Sequence, residues 1–211
     1  MDNRFHVPIP LFDPTPAESA WVIENIVPEL APALGIIKGA FDRVDLDQKF
    51  FVEWPQRQAV EKHFAELGLK IQRHAGFIGH PNQCTKTAHI DAFRPGIPMV
   101  ARFNIVYQGQ SPATLSWWND DVTSDKIEIR EFTELRNGIE RKAYSFKSSI
   151  SEWHDPVYTV ENPGAGWNRT EVAHRIQAPD CNVSRIIVTT EIAEQISWTE
   201  LVDRLKACGY C

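Results

Sequence analysis

Two side chains suited to metal ligation stand two apart in Thr87-Ala88-His89-Ile90-Asp91. Successive side chains of an extended strand point to opposite faces, so His89 and Asp91 project together and can grip one ion. His174 offers a third donor. Two imidazoles and one carboxylate make the facial set that holds a ferrous ion and leaves half of its octahedron open to other ligands. Zinc suits the pattern less, because a closed zinc site needs four ligands and no further Cys or His has suitable spacing. Taken alone, the HxD pair equally fits a strand-end His and Asp that hydrogen-bond each other at the surface.

His174 lies in the alternating run Glu171-Val172-Ala173-His174-Arg175-Ile176, where it shares a face with Val172 and Ile176. A core histidine satisfied by a hydrogen bond also fits there. Arg185 weighs against that plainer reading. It opens Arg185-Ile186-Ile187-Val188-Thr189-Thr190, whose apolar middle indicates a buried strand, and an arginine entering such a strand needs an anion. A small dicarboxylate meets that need through a bidentate, charge-assisted pair. A salt bridge to Asp180 or Glu171 is the structural alternative.

These residues need a rigid frame, and the periodicity predicts one. Thr15-Pro16-Ala17-Glu18 reads as a capping box with proline at the first helical position, followed by Trp21, Val22, Ile26 and Leu30. A second helix is expected from near Pro55, with Val60, Phe64 and Leu67 as its stripe and Gly68 as its stop. Short segments rich in Ile, Val, Phe, Tyr and Thr then recur: 69–73, 85–92, 99–107, 113–118, 126–131, 139–146, 157–160, 170–176 and 185–191. Asn137-Gly138 marks a tight turn. His89 and Asp91 fall late in the second of these segments, just before the turn-rich Phe93-Arg94-Pro95-Gly96. Ser197-Trp198-Thr199-Glu200 begins a terminal helix carrying Leu201, Val202 and Leu205. The expected architecture is a single, mainly β domain with flanking helices: a helical layer over 1–68, a jelly-roll core over 69–191 and a C-terminal helix over 192–211.

Composition narrows the partners. At 211 residues with 43% hydrophobic and 24% charged residues, the chain can bury a sizeable core. A net charge of -6 disfavours binding along a nucleic acid backbone, which usually shows as excess Lys and Arg. No signal-peptide pattern opens the sequence and no apolar run is long enough to span a membrane, so a cytoplasmic protein is expected. Of Cys84, Cys181, Cys208 and Cys211, only the last two have CxxC spacing, and they are expected to be free thiols near a frayed end. Trp117, Trp118, Trp153 and Trp167 stand beside polar residues and suit either a pocket mouth or the core. His74 and His80 precede the HxD strand and approach the site in one reading. Lys126, Arg136, Arg141, Lys142 and Lys147 make a modestly basic hairpin, read as a solvated face.

HxD, His174 after 85 residues and Arg185 after 11 more resemble the iron(II)- and 2-oxoglutarate-dependent dioxygenases, in particular small bacterial or phage-type members, over roughly 69–191. The resemblance implies a double-stranded β-helix in which His89, Asp91 and His174 hold Fe(II) and Arg185 binds the distal carboxylate of 2-oxoglutarate. It also makes Asn104, in Arg102-Phe103-Asn104-Ile105, a candidate cosubstrate contact. The implied activity is hydroxylation of a small molecule, amino acid side chain or nucleobase by dioxygen, coupled to conversion of 2-oxoglutarate to succinate. The alternative is a cupin-like metal-binding jelly roll without oxygenase activity.

Overall fold

The structure is a computed structural model that describes residues 4–26, 41–45, 52–79, 88–94, 97–108, 113–118, 127–136, 139–148, 154–177 and 185–211. Within these, residues 41–45, 78–79, 93–94, 108, 127–136, 139–148 and 185 are described by backbone alone. Asn137-Gly138, His80, Trp153 and Cys84, Cys181 lie outside the described residues, as do the side chains of the basic hairpin.

Thirteen strands are described: β1 (His6–Pro8), β2 (Phe41–Asp45), β3 (Ile71–Gly79), β4 (Ala88–Arg94), β5 (Ile97–Pro98), β6 (Ala101–Gln108), β7 (Thr114–Trp117), β8 (Ile127–Arg136), β9 (Ile139–Ser148), β10 (Tyr158–Glu161), β11 (Gly166–Arg169), β12 (His174–Gln177) and β13 (Arg185–Ile192). Three helices accompany them, α1 (Pro16–Asn25), α2 (Arg57–Glu66) and α3 (Trp198–Ala207). One sheet has the order β1-β11-β6-β13-β3-β2, the other β10-β7-β12-β4-β9-β8 with β5 attached to β4. All of the pairings are antiparallel.

The winding follows from which strands meet. The chain runs out through β3, β4, β6 and β7 and returns through β10, β11, β12 and β13. Each outgoing strand pairs with its returning counterpart: β7 with β10, β6 with β11, β4 with β12, β3 with β13. A long hairpin folded over in this way is a jelly roll, and it explains why residues 85 apart in sequence become neighbours. The fold is therefore the mainly β double-stranded β-helix expected from the sequence.

Strand alternation divides the six-stranded sheet into two faces. Ala101, Phe103, Ile105 and Tyr107 of β6 and Ile186, Val188 and Ile192 of β13 pack outward against Val60 and Phe64 of α2 and Leu201, Val202 and Leu205 of α3. Each Val, Leu, Ile or Phe among them contributes roughly 1.5–3 kcal/mol by leaving water. The intervening residues, Arg102, Thr189 and Glu191 among them, face the jelly-roll interior.

Local signals placed the helices well. Thr15 and Glu18 form a reciprocal capping box on α1, and Ser197 accepts from the Glu200 amide at α3. Gly68 ends the α2 region at φ 64°, a backbone geometry open to glycine. Three expectations are corrected. β1 and β2 arise within the segment read as a helical layer and extend the six-stranded sheet. Gly166–Arg169, outside the expected strand segments, is β11, and Trp167, which suited either a pocket mouth or the core, is fully buried among Phe64 and Phe103. The C-terminus is tied down through Tyr210, whose amide donates to Leu205 and whose hydroxyl donates to Glu66. Cys208 and Cys211 are free and exposed, as expected. Glycine at 166 reflects close packing, since a Cβ there meets the Val7 carbonyl oxygen at 2.5 Å.

His63 of α2 shows what this layer costs when protonated. Its ring lies among Phe12, Phe103, Trp167 and Tyr210, and Nε2 accepts from the Trp167 indole N–H at 3.0 Å. Nδ1 is buried with no hydrogen-bond partner among the described residues. Burial, opposed by nearby Glu66, lowers its pKa from 6.5 to about 4, and burial takes His74 to about 3. The unfolded chain thus binds protons more readily than the folded one below pH 6.5. Stability is full above that pH and is lost as the pH falls toward 4, by on the order of 3 kcal/mol for His63. Urea midpoints measured from pH 7 to 4.5 should fall steadily, and His63→Phe should flatten that slope while leaving the remaining His74 contribution.

Candidate metal centre

His89 and Asp91 are the second and fourth described residues of β4. The Asp91 backbone is anchored on both sides, its amide donating to the Thr170 carbonyl at 3.0 Å and its carbonyl accepting from Met99 at 2.7 Å. Among the described residues, β12 pairs with β4 at His174 opposite His89. The ring centroids of the two histidines are 4.5 Å apart. One ligand atom from each of His89, Asp91 and His174 lies within 4.8 Å of the others, a spacing that a single ion can bridge.

The tautomer of His174 follows from its partner. Nδ1 lies 2.9 Å from the Val172 carbonyl oxygen, which can only accept, so Nδ1 carries the proton and Nε2 presents a lone pair. Burial lowers the pKa of His174, with Asp91 opposing. His89 is pushed down to about 4 by burial first and by His174 second, again against Asp91. Both imidazoles are therefore neutral near pH 7, the form in which they donate to a metal.

Around Asp91 lies a set of ions that sequence reasoning missed. Arg102 of β6 reaches across from the other sheet, placing Nε 3.2 Å from Asp91 Oδ2 and Nη2 3.2 Å from Glu191 Oε1. Arg73 of β3 binds Glu191 Oε2. Glu191 is fully buried, so these partners offset an otherwise prohibitive desolvation. The available signal was alternation: Arg102 sits between Ala101 and Phe103, and Glu191 stands at the end of an apolar strand. Their partnership requires the folded sheet.

The other candidates fall in different places. Asn104, half-buried, is two positions from Arg102 on β6 and opposite Thr189 of β13. Arg185 begins β13 opposite Gly79, and its side chain lies outside the described residues. Glu171, one suggested salt-bridge partner for it, pairs with Arg169 at 2.9 Å. His74 does not approach the centre; it bonds Thr190 and meets Trp54 on the helical side. Trp117 and Trp118 are fully buried and donate to the carbonyls of Arg169 and His154, consistent with packing. Thr189 Oγ1 is buried with no hydrogen-bond partner among the described residues.

No described helix is long and apolar enough to cross a membrane. No family model matches the sequence, and no curated protein matches it. Among solved structures, the chain is similar to AviO1 from Streptomyces viridochromogenes, at 10% identity and TM-score 0.48, covering 90% of this chain and 89% of that one. It is similar to the epimerase SnoN in complex with Fe3+, alpha-ketoglutarate and nogalamycin RO, at 16% identity and TM-score 0.48, covering 88% and 76%. It is also similar to a Pseudomonas putida prolyl-4-hydroxylase, at 14% identity and TM-score 0.43, covering 86% and 89%.

Proposed function

We propose that this chain is an iron(II)- and 2-oxoglutarate-dependent dioxygenase that hydroxylates a small molecule, an amino acid side chain or a nucleobase. The observation that carries the reading is the convergence of His89, Asp91 and His174. Two neutral imidazoles and one carboxylate suit a ferrous ion and leave a net positive centre for a dianionic cosubstrate. When bound, iron and 2-oxoglutarate supply the oxidative chemistry, and the chain orients and shields them.

The residues around the centre fit that cosubstrate. Thr189 brings to the interior face a buried hydroxyl with no hydrogen-bond partner among the described residues, and Asn104 stands opposite it. Position 185 has the same strand parity as 187, 189 and 191. Arg185 is assigned to the distal carboxylate, as the family resemblance implies, with Asn104 and Thr189 as polar contacts along the cosubstrate. Trp117, opposite His174 in register, and Met99, close to the Arg102 guanidinium, are both buried and limit water at the centre.

The test is turnover of 2-oxoglutarate. Protein purified without oxygen, loaded with Fe(II) and exposed to air should convert 2-oxoglutarate to succinate slowly even without a hydroxylation substrate. Metal-loaded protein that forms no succinate, and whose melting temperature 2-oxoglutarate leaves unchanged, would instead be the cupin-like metal-binding jelly roll.

A further inference from the structure

One rung of the six-stranded sheet is polar on its interior face across five of its strands. In register across β1, β11, β6, β13 and β3 stand His6, Asn168, Arg102, Glu191 and Arg73. His6 bonds Asn168 through Nδ1 at 2.9 Å, and Glu191 divides its two oxygens between Arg73 and Arg102. Arg102 is the member that leaves the rung, crossing to Asp91 on the facing sheet. Its Nε also lies 3.1 Å from the Met99 sulfur, and its guanidinium sits 5.9 Å from the Phe77 ring centroid, so its pose is determined from several sides.

The contact divides the Asp91 carboxylate. Oδ2 is held by Arg102, whereas Oδ1 lies 3.8 Å from His89 Nε2, on the side of the donor cluster. An ion bound by both carboxylate oxygens would have to displace the guanidinium. We propose that Arg102 is a positioning residue that makes Asp91 a one-oxygen ligand, and that Glu191, backed by Arg73, fixes Arg102 in that pose. This inference rests on the metal-centre reading above. It has a functional meaning: a carboxylate restricted to one oxygen leaves one more coordination position for the cosubstrate or dioxygen than a chelating carboxylate does.

Two rival roles make different predictions. If Arg102 acts only as a positive charge, its removal lowers repulsion and tightens binding of a divalent ion. If it only staples the sheets together, a folded variant binds metal as the wild type does. Positioning predicts weaker binding with altered coordination.

Cobalt(II) alone is the probe, titrated anaerobically while its visible absorption is recorded. Arg102→Met is expected to raise the cobalt Kd about 10- to 100-fold, the range for loss of a group that orients a metal ligand. Its spectrum should differ in intensity and band position, and Arg102→Lys should recover part of both effects. Where Arg102→Met does not fold, because Glu191 loses a partner, the double variant Arg102→Met/Glu191→Gln removes both charges and takes its place in the titration. Tighter binding, or an unchanged Kd and spectrum in a folded variant, overturns the proposal. Wild-type protein that shows no saturable cobalt binding overturns the metal-centre reading and this inference together, whereas wild-type binding with an indifferent Arg102→Met overturns this inference alone.

Discussion

His174→Ala is expected to weaken Fe(II) or Co(II) binding by more than about 100-fold and to abolish 2-oxoglutarate turnover. Groups that merely orient a metal ligand are worth about 10- to 100-fold in affinity, so a ligand itself should exceed that range. His89 and Asp91 remain after the substitution, both on one strand, and two donors from one direction cannot define a facial site. The geometry makes His174 the member brought from farthest away, since it arrives on β12 and meets β4 opposite His89. The fold should survive. Among the described residues the ring makes one hydrogen bond, to the Val172 carbonyl, and its loss costs about 1–3 kcal/mol if that carbonyl is left unsatisfied. Anaerobic metal titration with circular dichroism as the folding control decides the matter. Near-wild-type affinity in a folded variant would mean that His174 is a core histidine, the plainer reading of its alternating strand.

The second large effect is expected at Arg185, and it should separate cosubstrate from metal. Arg185→Met should leave Co(II) binding within a few-fold of wild type and raise the 2-oxoglutarate Kd about 100-fold or more. A bidentate guanidinium–carboxylate pair contributes roughly 3 kcal/mol through its charge-assisted hydrogen bonds, and each 1.4 kcal/mol is tenfold in affinity. Melting with metal present is the convenient measurement. At 100 times its Kd, 2-oxoglutarate stabilises the wild type by about 2.7 kcal/mol, and the same concentration should scarcely move the variant. Equal stabilisation of both proteins removes Arg185 from the cosubstrate site and reopens the salt-bridge alternative, for which Asp180 is the remaining sequence candidate.

Parts of this molecule were legible because their causes are local. A hydroxyl at the cap and a glutamate three residues later announce α1 whatever the rest of the chain does, and Gly68 ends the α2 region by a backbone preference of its own. The apolar alternation of β6 and β13 likewise marks strands, since one face must meet the helices. β11 escaped because it is four residues long and reads Gly-Trp-Asn-Arg, a composition shared with turns. β1 and β2 escaped for a related reason. Edge strands draw their regularity from the neighbour they pair with, and that neighbour lies in another part of the chain.

The same division runs through the candidate centre. That His89 and Asp91 share a face was already determined by sequence, because a strand repeats every two residues irrespective of what packs against it. The alignment of His174 with His89 was decided by the winding of the folded hairpin, a non-local pairing across 85 residues that no period encodes. Tertiary structure alone decided that Arg102 would reach Asp91 and that Glu191 would hold it. Buried ions gain their partners from the facing sheet and the neighbouring strands, and burial makes those partners obligatory.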